Sequence, residues 1–154
     1  FFQGRKNKTE ESAPEDWENL NGVSILAAED NELNREIIVE LLESHGAVVD
    51  TACNGKEALD AYLNSSPGYY RLILMDVHMP EMNGLEATKE IRNSGRPDAC
   101  SVPIIAMTAD VFKEDIRRCQ DAGMNAHMGK PVELDKLYST VRKLLNKEAL
   151  GEKQ

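Results

Sequence analysis

The alternation of short apolar runs with helical segments constrains the fold of this chain more than any other feature. Short apolar runs bounded by turn residues are typical of buried parallel strands. Strands are predicted at Val23–Ala28, Val48–Ala52, Leu72–Met75 and Val102–Met107, with a weaker fifth strand at Ala126–Gly129. Because helical segments separate these runs, the chain is predicted to be an α/β protein.

The segments between the runs have the three-to-four-residue period of amphipathic helices. Three apolar faces are predicted: Leu33, Ile37, Leu41 and Leu42; Phe112, Ile116 and Cys119; and Leu134, Leu137, Val141 and Leu145. In the first helix, Ile37, Ile38, Leu41 and Leu42 are expected chiefly to face the core. Asn54 with Glu57, and Asn83 with Glu86, have the spacing of helix N-terminal caps. The pattern predicts a single doubly wound five-stranded parallel sheet with helices on both faces.

Both ends of the chain lack this pattern. Residues 1–22 show no hydrophobic period: Phe1–Gly4 resembles a cleaved affinity tag, and residues 5–22 are expected to be a linker or a disordered terminus. A linker there would imply that the natural protein continues upstream. Residues 148–154 are expected to form a frayed polar tail, which leaves 23–147 as the folded domain.

Composition excludes several functional classes. The chain has 27 acidic and 18 basic residues, a formal net charge of −9, which argues against binding nucleic acid or an anionic lipid surface. No apolar run approaches the roughly 20 residues of a membrane span. The three cysteines form no CxxC pair and are interpreted as core residues in a reducing cytoplasm rather than as disulfide or zinc ligands.

Polar residues stand at the carboxyl ends of the predicted strands. Glu29 and Asp30 follow the first, Asp76 the third, Thr108 the fourth and Lys130 the fifth. Taken singly, each could be a solvated acid, a turn residue, a helix cap or a surface lysine. Together they lie at the edge where open α/β sheets bind ligands.

This set of side chains predicts a phosphoryl-transfer site. Three crowded carboxylates repel one another unless a cation lies between them, and oxygen ligands suit Mg²⁺ or Mn²⁺. A lysine and a hydroxyl could bind the remaining phosphoryl oxygens. The middle carboxylate, Asp76, could then attack phosphorus and form an aspartyl phosphate.

The segments LAAEDN, LILMDVHMPEMNG, IIAMTA and MGKP occur in this order. On these motifs, residues 23–147 resemble the receiver (response-regulator) domain of two-component phosphorelay signalling. The resemblance implies a flavodoxin-like fold with strand order 2-1-3-4-5. It also implies a signalling phosphoprotein that requires magnesium and catalyses both its own phosphorylation and slow hydrolysis.

The resemblance also implies a role for each matching residue. Asp76 would be the phosphoacceptor and Asp30 a direct metal ligand. Glu29 would hold the metal through a water, and the backbone carbonyl of His78 would supply another ligand. The remaining implied site residues are Thr108 and Lys130, which would contact the phosphoryl group, and Pro131, which would follow a cis peptide bond that helps to fix the lysine.

The residues of these motifs most resemble those of receivers fused to hybrid sensor histidine kinases (EC 2.7.13.3). The kinase core of such proteins is not found in this sequence. A stand-alone response regulator is the alternative. The implied partner is a histidine kinase or a histidine-phosphotransfer domain that would dock on any exposed part of the first helix. The resemblance further implies a cytoplasmic domain without membrane contact, in a parent that could be membrane-anchored, and weak homodimers through residues 110–122 and 133–146.

One position departs from the family pattern. The family's switching aromatic residue corresponds to His127, which could couple to Thr108 or could simply be a half-buried strand-end residue. Two other functions stay open. An aspartate-nucleophile phosphatase would need a second acid where His78 stands. A degenerate receiver would bind partners without phosphorylation and would not need to keep all five polar site residues.

Overall fold

Five strands and five helices alternate along the chain. The structure is a computed structural model that describes residues 20–109 and 116–153, with side chains described as far as residue 144. The strands are β1 (Ser24–Ala28), β2 (Val48–Ala52), β3 (Leu72–Asp76), β4 (Ile104–Thr108) and β5 (Ala126–Gly129). The helices are α1 (Glu32–Glu43), α2 (Gly55–Asn64), α3 (Gly84–Arg92), α4 (Ile116–Ala122) and α5 (Leu134–Lys153).

All pairings between neighbouring strands are parallel, in the order β2-β1-β3-β4-β5. This confirms the predicted fold and strand order. The order reverses between β1 and β3, so a crevice is expected where the carboxyl ends of these two strands meet.

Alternate residues of the strands face two separate apolar cores. In β3, Ile73 and Met75 pack with residues of α2, α3 and α4, whereas Leu72 and Leu74 pack with residues of α1 and α5. This two-residue alternation places helices on both faces of the sheet, as predicted. Every residue of β3 and β4 is buried, which explains their nearly unbroken apolar runs.

The prediction for α1 was partly wrong. Ile38 and Leu42 are buried as expected, but Ile37 is 44% exposed, and Leu33 on the same stripe is 65% exposed. Periodicity shows that these side chains share a stripe, but not whether a neighbouring element covers it. The first half of α1 therefore presents apolar surface. Phe112 and Leu145 of the other predicted faces lie outside the described side chains.

The packed part of the chain extends beyond the expected boundaries. Leu20 is fully buried in the core, and its carbonyl accepts a hydrogen bond from the amide of Val23 (3.0 Å). At the other end, α5 continues through Lys153 where a frayed tail was expected. Residues such as Glu148, Ala149 and Leu150 have favourable helix propensity, which accounts for the longer helix.

A partly buried arginine at the end of α3 links two neighbouring connections. The Arg92 guanidinium donates hydrogen bonds to the backbone carbonyls of Ala99, Val102 and Gly123 at 2.7–3.0 Å, and to Asn125 Oδ1 at 2.8 Å. Burial lowers the pKa of this group. These bonds tie the connection before β4 to the turn before β5.

Candidate functional site

The predicted polar residues meet at the carboxyl edge of the sheet. Asp76 and Thr108 are the last residues of β3 and β4, which end one residue later than predicted, while Glu29 and Lys130 directly follow β1 and β5. These later ends reflect continued backbone pairing, in which the Val77 amide donates to the Met107 carbonyl (3.0 Å).

Lys130 joins two buried carboxylates. Its Nζ lies 2.9 Å from Asp76 Oδ2 and 2.9 Å from Glu29 Oε1. Glu29 is fully buried and Asp76 is 2% exposed, whereas the lysine side chain is 16% exposed. A single ammonium group therefore bridges two carboxylates that would otherwise repel each other in a poorly solvated position.

Burial acts on the pKa values of Asp76 and Lys130 in opposite senses. It raises the pKa of Asp76 to about 7, with the hydrogen bond from Lys130 opposing the rise and the Glu29 carboxylate adding to it. For Lys130, burial alone would lower the pKa, but the bonds with Asp76 and Glu29 outweigh it and raise the pKa. The lysine thus stays charged, whereas Asp76 readily takes up a proton near neutral pH.

The carboxylates fit a divalent cation. Glu29, Asp30 and Asp76 each place an oxygen within 4.8 Å of the others. Glu29 Oε1 is buried, and its 2.9 Å contact with Lys130 Nζ is an ion pair rather than a well-directed hydrogen bond. An all-oxygen set that includes buried carboxylate oxygens suits a hard cation such as Mg²⁺. Asp30 is exposed, which leaves an open side for further ligands.

The loop between β1 and α1 holds the acidic pair through contacts that the sequence did not reveal. Asn31 caps α1 and donates its amide to Glu29 Oε2 (3.1 Å). Arg35 Nη1 donates to the backbone carbonyl of Glu29 (2.9 Å). An arginine one turn into a helix is usually a solvated residue, so only the fold reveals this contact.

The remaining predicted residues lie around this centre. The amide of His78 donates to Asp76 Oδ1 (3.2 Å), which places the His78 backbone next to the Asp76 carboxylate. Thr108 is 3% exposed, and its carbonyl accepts from the Lys130 amide (2.9 Å). The peptide bond between Lys130 and Pro131 is cis.

His127 lies apart from the acidic cluster. It is the second residue of β5, paired with Ala106, and its side chain is exposed rather than half-buried. It lines a surface groove between α4 and α5 together with Ile116 and Thr140. Its coupling to Thr108 stays a prediction.

Two glycines fix the loop that follows Asp76. A Cβ on Gly84 would lie 2.1 Å from the Asp76 carbonyl oxygen, and one on Gly55 would lie 2.3 Å from the Met82 carbonyl oxygen. Within this loop, Glu81 adopts a positive φ of 66°. The Gly84 contact holds the loop against the end of β3, where Asp76 lies. The sequence pattern indicated only the neighbouring cap, Asn83.

Affinity for Mg²⁺ is expected to increase as the pH rises through about 7, because a proton and a cation compete for Asp76. Calorimetric titrations from about pH 6 to about pH 8 should show tighter binding and proton release. Without a cation, the raised pKa favours the protonated folded state. The stability of the cation-free protein should therefore fall as the pH rises from the ordinary carboxyl range through about 7.

The Asp76→Asn variant provides the control for this pH effect. Its cation affinity should be low and should lack the step near pH 7, because the amide does not titrate in this range. A step of wild-type size in this variant would mean that another group controls the competition.

Comparison with known proteins gives concordant matches. The profile of the response regulator receiver domain matches residues 25–142. The chain is 34% identical over 146 residues to hybrid signal transduction histidine kinase L of Dictyostelium discoideum, covering 93% of this chain and 8% of that protein. It is 39% identical over 126 residues to the osmosensing histidine protein kinase SLN1 of Saccharomyces cerevisiae, covering 80% of this chain and 10% of that kinase. The chain therefore spans only a small part of these relatives.

Two solved structures are similar in fold and sequence. The receiver domain of a sensor histidine kinase from Pseudomonas aeruginosa, with magnesium coordinated in its active site cleft, aligns with a TM-score of 0.71 and 34% identity, covering 81% of this chain and 98% of that one. The receiver domain of the Saccharomyces cerevisiae response regulator Ssk1 was solved with the histidine phosphotransfer protein Ypd1. That structure aligns with a TM-score of 0.68 and 32% identity, covering 79% of this chain and 87% of that one.

Proposed function

Because the chain belongs to the response regulator receiver domain family, we propose that Asp76 accepts a phosphoryl group from a phosphohistidine in a Mg²⁺-dependent phosphorelay. One observation carries this proposal. The buried Asp76 carboxylate is held by Lys130 at 2.9 Å and shares a cation-sized cluster of oxygens with Glu29 and Asp30.

Apart from supplying the nucleophile, the protein contributes to this reaction mainly by positioning groups and stabilising charge. A carboxylate oxygen of Asp76 attacks phosphorus, the bond between phosphorus and the donor imidazole breaks, and the imidazole nitrogen takes the electron pair. The His78 amide and Lys130 Nζ each contact a different Asp76 oxygen, so the carboxylate is oriented before the donor arrives.

Lys130 and Thr108 are suited to receive the transferred group. The lysine can bind a phosphoryl oxygen while its contact with Asp76 rearranges, and Thr108 lies at the neighbouring strand end. Glu29, Asp30, Asp76 and the His78 carbonyl would hold Mg²⁺. When bound, the cation offsets the negative charge of the phosphoryl oxygens.

The exposed apolar stripe of α1 supports docking of a histidine-phosphotransfer partner. Leu33 and Ile37 are exposed, and Ile37 lines a small depression together with Glu29, Lys130 and Pro131. Apolar surface beside the acceptor could pack against a helical donor, while its histidine reaches Asp76. The complex of Ypd1 with the Ssk1 receiver is a precedent among similar structures.

The wider setting follows from the relatives. The proposed receiver domain covers residues 23–147, with Leu20 adding a core side chain ahead of it. The parent is proposed to be a hybrid histidine kinase, with this domain in the cytoplasm, Mn²⁺ as a substitute for Mg²⁺, and weak pairing of domains through the α4 and α5 side. Within the described part of the chain, none of the helices has the length and apolarity needed to cross a bilayer.

The competing functions have less support. A phosphatase that uses Asp76 as its nucleophile needs a general acid two residues later, and His78 stands there with an exposed side chain. A receiver that had lost phosphorylation would not need the close bonding of Lys130 to both acids.

Incubation with acetyl phosphate and Mg²⁺ tests the proposal. Intact-mass measurement should show the addition of one phosphoryl group, and removal of Mg²⁺ with EDTA should suppress the rate by a factor of about 10² or more, because the carboxylates then repel the anionic donor. Addition at an unchanged rate in EDTA would contradict the role of the cluster. Rapid turnover of a generic phosphate ester would favour the phosphatase instead.

A further inference from the structure

We propose that Arg35 is a positioning residue that fixes Asp30 for cation binding. This inference rests on the proposed function, because it concerns the same site. Arg35 Nη1 donates to the backbone carbonyl of Glu29 (2.9 Å), which belongs to the peptide group that joins Glu29 to Asp30. The arginine thus contacts the backbone that determines where the Asp30 carboxylate lies.

Asp30 depends on its backbone more than the other two acids do. Glu29 and Asp76 are buried and bonded to Lys130. Asp30 is exposed, and no side chain within residues 20–109 and 116–144 donates a hydrogen bond to its carboxylate. Its oxygen nevertheless lies within 4.8 Å of the other two ligand oxygens.

The peptide groups around Asp30 are held from several directions. The Glu29 amide donates to the Ala52 carbonyl (3.0 Å), and the Arg35 amide donates to the Asn31 carbonyl (2.9 Å). With the side-chain bond to the Glu29 carbonyl, Arg35 closes the three-residue loop at both ends. Partners that orient metal ligands in this way commonly affect affinity although they do not touch the ion.

The positioning role and a simple charge effect predict opposite results. If Arg35 were only a nearby positive charge, its removal would relieve repulsion and tighten cation binding. If it positions Asp30, removal should loosen the loop and weaken binding. The sign of the change therefore separates the two explanations.

The test is a titration with Mn²⁺ alone, followed by the paramagnetic resonance signal of the free ion. We expect Arg35→Met, which keeps the aliphatic length, to weaken Mn²⁺ binding by about 10-fold. Lys56→Met removes the same charge from an exposed position of α2 and should leave affinity within about 2-fold of wild type. Unchanged or tighter binding by Arg35→Met would overturn the inference.

A double-mutant cycle asks whether Arg35 acts through Asp30. In an Asp30→Asn background, Arg35→Met should change Mn²⁺ affinity by less than about 2-fold, because the ligand it positions is already impaired. A full additional loss there would also overturn the inference. The thermal midpoint of the cation-free protein should change little, which distinguishes positioning from general destabilisation.

Arg35→Lys covers the case in which Arg35→Met does not fold. The shorter amine keeps the charge but lacks the planar fork, so it should also bind Mn²⁺ more weakly than wild type. Wild-type affinity in Arg35→Lys, with Arg35→Met unfolded, would reject the inference. Failure of the wild-type protein itself to bind Mn²⁺ would instead refute the proposed function.

Discussion

Replacing Asp76 with asparagine is expected to abolish phosphoryl uptake from acetyl phosphate, lowering the rate by a factor of about 10³ or more. An amide is a far weaker nucleophile than a carboxylate, and an acyl phosphate cannot form on it. The substitution keeps the shape of the side chain and an oxygen that can accept from Lys130, which lies 2.9 Å from Oδ2 in the native site. Intact-mass measurement after incubation with Mg²⁺ would report the loss.

Asp60→Asn provides a matched control for this experiment. Asp60 is an exposed residue of α2 paired only at the surface with Lys56, so its variant should be phosphorylated at the wild-type rate. Undiminished labelling of Asp76→Asn would show that another carboxylate is the acceptor. Peptide mapping would then identify it, with the exposed Asp30 as the first candidate.

Gly84→Ala is expected to destabilise the protein by about 3 kcal/mol and to weaken cation binding at the same time. The added methyl group would lie 2.1 Å from the carbonyl oxygen of Asp76 and 2.9 Å from Met75 Cγ. Because the Asp76 carbonyl belongs to the backbone, it cannot move aside as a flexible side chain can. The loop and the end of β3 must therefore move apart. Urea denaturation and Mn²⁺ titration of one variant would measure both effects.

Gly68→Ala separates this steric effect from the general cost of replacing a glycine. Gly68 has a positive φ of 82° and open space where a Cβ would lie, so alanine there should cost only about 1 kcal/mol through backbone strain. It should leave cation affinity unchanged, because Gly68 precedes the amino end of β3 whereas Asp76 lies at the carboxyl end. Equal costs at the two positions would contradict the close approach at Gly84.

The sequence was sufficient to predict the sheet and the composition of its functional edge. Buried parallel strands need apolar side chains on both faces, so β3 and β4 can be identified as apolar runs that end in the polar residues Asp76 and Thr108. Because parallel strands all end at one edge, sequence order alone places Glu29, Asp76 and Lys130 together. The pairing of Lys130 with both Glu29 and Asp76 could not be predicted from the sequence, because it depends on the positions of the side chains.

Other features depend on contacts that no local pattern encodes. The exposure of Ile37 is set by the absence of a covering neighbour in the described structure, and the burial of Leu20 is set by its contact with the second core. The contact of Arg35 with the Glu29 carbonyl arises because the side chain reaches back beyond the start of its own helix. The requirement for glycine at position 84 comes from the nearby Asp76 carbonyl, and nothing in the local sequence indicates that contact.

The bridging position of Lys130 has a consequence for the valence of the ion that the site can select. The cluster holds three carboxylates and one ammonium group, which contacts two of them, so the ionised cluster keeps two uncompensated negative charges. A divalent ion would restore electroneutrality, whereas Na⁺ or K⁺ would leave one charge in a largely buried setting, which is costly. Discrimination against abundant monovalent ions would thus arise from the charge of the lysine as much as from the size of the cavity. Removal of that ammonium charge would shift the neutral balance towards a trivalent ion.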